Sequence, residues 1–182
     1  MRKLLLSVMV LVASATAAKA QFFVGGGLGF WYDKPTTSFN ISPEVGYSFN
    51  DHWAVGLPIG FSLYKTTDNA GLSGEIKTTR TSFYLEPYAR FKYFSAEKVS
   101  LFLDGVVGVS VNNSSSGNYK SDPITGFQII IRPGIAVNLT DHFSLVGTFG
   151  ALGYRKDYRN NAASGFGLSL HNSLGFGFYY SF

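Results

Sequence analysis

The feature that most constrains this chain is a period of two. From residue 38 to 49, Phe39, Ile41, Pro43, Val45, Tyr47 and Phe49 alternate with Ser38, Asn40, Ser42, Glu44, Gly46 and Ser48. Successive side chains leave a strand on opposite faces, so the pattern makes a strand with one apolar face and one small or polar face. The same parity runs through Trp53 to Tyr64, Ser82 to Lys92, Val99 to Val111 and Gly126 to Leu139. It is weaker over 22–32 and 143–155, where Phe143, Leu145, Phe149 and Ala151 are assigned to the apolar face. It is strong again in the last segment, with Phe166, Leu168, Leu170, Leu174, Phe176, Phe178, Tyr180 and Phe182 on one face. Eight strands and almost no helix signal make an all-β domain.

The connections are ordered too. Short turns fall around residues 51, 96 and 141, and longer polar connections at 33–37, 66–79, 112–123 and 156–164. The first and third turns share a pattern, Phe49-Asn50-Asp51-His52-Trp53 against Leu139-Thr140-Asp141-His142-Phe143, in which each Asp is expected to accept local backbone N–H groups. Strands joined alternately by short turns and long loops read as four hairpins wound up and down. An even strand count returns both ends of the domain to the short-turn side.

An eight-stranded barrel can be soluble or can cross a membrane, and the two parities decide between them. An eight-stranded interior has room for little beyond its own side chains. Here the apolar parity carries Phe, Tyr, Trp and Leu at nearly every position, while the other carries Gly, Ser, Ala and isolated charges. The bulky set overfills a narrow lumen; the small set fits it. The bulky set therefore faces lipid, as a transmembrane barrel requires. Aromatic residues gather near strand ends, with Phe30, Tyr32, Phe39 and Phe83 towards the loops and Phe49, Trp53, Phe143, Tyr180 and Phe182 towards the turns, where amphipathic rings meet headgroups.

The first twenty residues stand apart. Arg2 and Lys3 precede a run from Leu4 to Val12 that is apolar except for Ser7, and Ala18-Lys19-Ala20 is a small-residue cleavage site. This is the pattern of a secretory signal peptide over 1–20, leaving a barrel domain over 21–182. Without Arg2, Lys3 and Lys19 the fifteen basic residues become twelve against eleven acidic ones, so the exported domain is close to neutral. No basic cluster remains for a nucleic-acid backbone. There are no cysteines, and no residue pattern calls for a metal or cofactor.

The chain stops on Phe182 after Tyr180, Phe178, Phe176 and Leu174, which resembles the C-terminal signal read by the barrel assembly machinery of the outer membrane. Over Gln21 to Phe182 the sequence is similar to the small outer-membrane β-barrels of the OmpX-like and OmpA-like kind. The resemblance implies an eight-stranded antiparallel up-and-down transmembrane barrel in the outer membrane of a Gram-negative bacterium. It also implies extracellular loops, periplasmic termini and contact with outer-membrane lipids and lipopolysaccharide. It departs from the OmpA pattern in ending with the barrel.

Two functions follow from different classes. One is a structural or surface-interaction role through the loops, with no open pore and no catalysis. The other is a lipid A-modifying enzyme, because His171-Asn172-Ser173 resembles the His-x-Ser pair of lipid A deacylases. Parity places His171 and Ser173 in the lumen, away from lipid, and no acid follows in that strand to orient the imidazole. Arg155, Lys156 and Arg159 near the last loop hint at lipid phosphates. Inside, Glu44, Glu86, Arg90, Asp104 and Arg132 share the inward parity of four strands within a belt on the order of 10 Å deep. Buried charges need partners, so the five are expected to interlock, with Lys92 as a further base and Arg132 paired with Asp104.

Overall fold

The computed structural model describes residues 21–68, 75–160, 164–169 and 175–182. The strands are β1 (Gln21–Asp33), β2 (Thr36–Ser48), β3 (Trp53–Asp68), β4 (Ile76–Leu85), β5 (Tyr88–Ser95), β6 (Val99–Ser116), β7 (Tyr119–Lys120), β8 (Ile124–Asn138), β9 (Phe143–Thr148), β10 (Ala151–Lys156), β11 (Gly165–Ser169) and β12 (Gly175–Ser181). All pairings are antiparallel. Segments β4 and β5 continue one staff of the barrel, as do β9 with β10 and β11 with β12. Read this way, each of eight staves pairs with its neighbours, and β12 pairs with β1 through Phe23 opposite Ser181 to close the ring. Pairing across this seam gives the backbone groups of Phe23 to Gly26 partners in the apolar zone, where an unsatisfied group would be costly.

The interruptions have local causes. Proline has no N–H to give a ladder, and Pro87 lies in the break between β4 and β5. The chain keeps its place there through Glu86 N–H to the Pro58 carbonyl (3.1 Å) and Val107 N–H to the Pro87 carbonyl (3.0 Å). Between β9 and β10, Gly150 takes φ +71°, a left-handed conformation open to glycine, and the alternation slips by one residue. Ala151 is thereby turned inward, 5 % exposed, against the expectation that it faces out; Leu152 and Tyr154 take the outer face instead.

Among the described residues, strand continues into two of the expected loops. β3 runs to Asp68 and β4 starts at Ile76, and β6 runs to Ser116 before β7 folds back on it. Thr and Ser have side chains that suit pleated, half-exposed ladders, and here they face one another: Thr36, Thr66, Thr78 and Ser116 form one transverse row. The hairpins therefore stand out beyond the apolar zone as an extended sheet.

The turns at 50–52 and 140–142 have the same construction. Asn50 Oδ1 accepts from the N–H groups of His52 and Trp53, both at 2.8 Å, and Thr140 Oγ1 accepts from those of His142 (3.3 Å) and Phe143 (3.0 Å). In each turn the residue before the Asp accepts these two N–H groups, where the expectation named Asp51 and Asp141. The side chain one position earlier has the reach to close the loop on both amides. Each imidazole Nδ1 then meets a carbonyl of the adjacent staff, Lys92 for His52 (3.1 Å) and Ser181 for His142 (2.8 Å). The sequence repeat is a repeated strand-to-strand fastening.

Burial alternates along the staves. Phe22, Val24, Leu28, Ile59, Phe83, Val107, Ile129, Phe176 and Phe178 are exposed on the outside, while Ala54, Ser82, Phe102, Val106, Ser110 and Ile130 are buried within. At the short-turn end the outward rings touch one another: Phe22 with Tyr47, Trp53 with Phe91, and Phe143, Tyr180 and Phe182 in a chain with centroids 5.1 Å apart.

Candidate functional site: the charged belt and the lumen

The belt is built by register. Arg90 on β5 lies directly opposite Asp104 on β6, and Asp104 directly opposite Arg132 on β8, so three charges of alternating sign cross three neighbouring staves on their inner face. Arg90 grips Asp104 with both ends of its fork, Nε to Oδ1 at 2.7 Å and an Nη to Oδ2 at 3.0 Å. Asp104 is fully buried, and the Arg90 guanidinium stacks over the buried Phe102 ring at 3.8 Å. Arg132 is held more loosely, 3.5 Å from Glu86 and 3.7 Å from Asp104. Glu86 also accepts from Gln128 Nε2 (3.0 Å) and the Tyr158 hydroxyl (2.7 Å).

Glu44 stands outside these ion pairs. Its carboxylate accepts from the hydroxyls of Tyr88 and Tyr179, the latter at 2.8 Å. The reason is geometric: both guanidiniums are committed along the β5–β6–β8 side, whereas Glu44 lies on β2 opposite Pro58. Lys92 does not join the ion pairs of the belt either. His171, Ser173 and Leu174 lie outside the described residues. Of the terminal residues, Phe176, Phe178 and Phe182 are exposed on the outer face, and Tyr180 is half-buried among its aromatic neighbours.

The partners that the charge pattern missed are the tyrosines. Tyr84, Tyr88 and Tyr179 sit on the inward parity, so alternation alone marks them as lumenal. Tyr158 carries no such mark, because it comes from the connection after β10. There a turn of 3-10 helix, Tyr158–Asn160, enters the barrel. Tyr158 is buried, the Asp157 carbonyl accepts from Asn112 Nδ2 (2.6 Å), and the Arg159 N–H donates to Ser110 Oγ (3.1 Å). Gly126 makes the recess possible, since a Cβ there would overlap the Asp157 carbonyl. This overturns the reading of Arg155 and Arg159 as contacts for lipid phosphate. Arg155 Nε donates to Gln128 (3.1 Å) and Arg159 stacks on Tyr84 at 4.1 Å, both inside; only Lys156 is exposed.

The inserted turn fills one side of the lumen. The other side, along β1, β2 and β12, retains a cavity of about 350 Å³ floored by the belt. The interior is therefore less full than eight strands lead one to expect.

With this geometry in view, comparison with known proteins is decisive for the family. Residues 4–182 match the family model described as the outer membrane protein beta-barrel domain. The chain belongs to the outer-membrane β-barrel family. Its place is the bacterial outer membrane, and its eight staves are the spanning elements. A major outer membrane protein from Thermus thermophilus shares the fold, with 15% identity, 90% of this chain and 100% of that chain covered, and a TM-score of 0.54. Neisserial surface protein A (12% identity, 89% and 91% covered, TM-score 0.45) and Ail, the attachment invasion locus protein of Yersinia pestis (17%, 90% and 97%, TM-score 0.41), are also similar. No curated protein sequence matches the chain.

Proposed function

We propose that this family member is a closed, non-enzymatic barrel that presents its long-loop end at the cell surface, where it binds lipopolysaccharide and offers its hairpins to further partners. The short turns and both termini lie in the periplasm. The observation that carries this reading is one transverse row of side chains on the outer face. Tyr32, Thr37, Lys65, Thr79, Ser115 and Lys120 follow one another across six paired strands. The next row towards the middle of the barrel is Phe30, Phe39, Leu63, Thr81 and Asn113, and the one beyond is Leu28, Ile41, Phe61, Phe83 and Val111. Acyl chains meet the apolar rows, and a phosphorylated sugar headgroup meets hydroxyls flanked by two ammonium groups on the order of 14 Å apart, three strand spacings. Lys77, two residues nearer the loop tip, adds a third that is shared with Glu75 at 3.2 Å.

Basic groups at an anionic membrane surface contribute about 1 kcal/mol each. The barrel in phospholipid bilayers should therefore gain thermal stability when lipopolysaccharide is added. The Lys65→Gln, Lys77→Gln, Lys120→Gln variant should lose most of that gain while matching the parent in phospholipid alone. An equal gain for both proteins would reject the row as the lipid contact. Orientation has its own test: on intact cells a cysteine replacing Asn118, exposed at the turn between β6 and β7, should react with an impermeant maleimide, and one replacing Asp51 should not. Labelling at 51 alone would invert the topology.

A further inference from the structure

The lumenal cavity has an uneven supply of hydrogen-bonding groups. It is bordered by Asn40, Glu44, Tyr84, Arg132, Arg159 and Tyr179 among others. Its carboxylates and its amide oxygen already have donors: Glu44 accepts from two phenols, Glu86 from Gln128, Tyr158 and Arg132, and the Asn40 carbonyl oxygen from the Tyr84 hydroxyl (2.8 Å). Donors are left over. Arg132 Nε is buried with no hydrogen-bond partner, and the rest of that guanidinium reaches carboxylates only at 3.5 and 3.7 Å. Among the described residues no carboxylate pairs with Arg159, whose guanidinium lies flat on Tyr84 and borders the cavity.

Arg159 is also held deliberately. Its own φ of +52° and that of Asp157, +50°, lie in the left-handed region that side chains other than glycine seldom adopt. Strain of this kind persists where surrounding contacts impose it, and it is common at ligand sites. Here it is imposed by the Asn112, Ser110 and Glu86 bonds to the inserted turn.

Two guanidiniums with spare N–H groups border a polar space whose carboxylates already have donors of their own, and an anion that can accept from both fits them. We propose that the cavity is a binding site for a small free oxyanion of the phosphate type, held between Arg132 and Arg159 and assisted by the Asn40 amide. The arginines and the amide that would hold the ligand are inward-facing side chains, so the ligand proposed is a solute and not a headgroup, and the site is independent of the lysine row outside.

The test uses the protein extracted in an uncharged detergent and titrated with inorganic phosphate at constant ionic strength, by calorimetry and by NMR of the tyrosine rings. One saturable site is expected, with the Tyr84 signal shifting. Arg159→Gln should weaken it at least tenfold. Asn40→Asp, which brings a negative charge from the opposite wall without touching the inserted turn, should do the same. Lys156→Gln, exposed on the outside of the same connection, should bind as the parent does. Heat-modifiable migration in electrophoresis confirms that each variant is folded. Absence of saturable binding, binding only when lipopolysaccharide replaces phosphate, or unchanged affinity in folded Arg159→Gln and Asn40→Asp would overturn the site.

Discussion

Asp104→Ala should destabilise the barrel by about 3 to 5 kcal/mol, the penalty of leaving buried charge without its partner. In urea titrations of the refolded protein this appears as a clear fall in the unfolding midpoint. Asp104 is the residue to remove because it is fully buried, takes both ends of the Arg90 fork, and is the one acid that both Arg90 and Arg132 approach. Without it, Arg90 keeps only the faces of Phe102 and Tyr88. Arg132→Ala should cost less, since its contacts are longer and its side chain is 20% exposed. Adding Arg90→Ala to Asp104→Ala should restore part of the loss, because the double variant buries no orphan cation. An unchanged midpoint for Asp104→Ala would show that water reaches the belt and screens it, as it does for surface pairs.

Phe182→Asp should abolish most insertion into the outer membrane while export continues, leaving the protein in a form that does not migrate as a folded barrel. The terminal residue is where the ring is completed. Phe182 N–H donates to the Phe22 carbonyl (3.0 Å), and its ring packs edge-on against Tyr180, which contacts Phe143 and stacks on His142. A carboxylate here loses those contacts and, beside lipid, carries a desolvation cost. The same aromatic end is the feature that resembles the assembly signal, so the variant fails both in recognition and in closure. Normal amounts of folded Phe182→Asp barrel in the outer membrane would refute the assignment of the seam to this residue.

Much of this architecture was legible in the sequence because period-two alternation is a local code. A residue's parity in a strand states its face, so Glu44, Glu86, Arg90, Asp104 and Arg132 could be placed inside, and Phe39, Phe83 and Phe178 outside, with no knowledge of pairing. The same code could have marked Tyr84, Tyr88 and Tyr179 as lumenal, had hydroxyls been weighed as partners for the acids. Turn spacing likewise gave eight staves.

What alternation could not convey is register, because sliding one strand by two residues preserves every face and changes every partner. Only the folded ring sets Arg90, Asp104 and Arg132 abreast while leaving Glu44 to the tyrosines across the lumen. Nor could it follow a backbone that leaves the ladder. Gly150 resets the parity so that Ala151 turns inward, and the turn at Tyr158–Asn160 carries Arg159 from an apparent surface loop into the interior. Faces are written in neighbours along the chain; partners depend on hydrogen bonds between residues as far apart as Phe22 and Phe182, which only tertiary structure specifies.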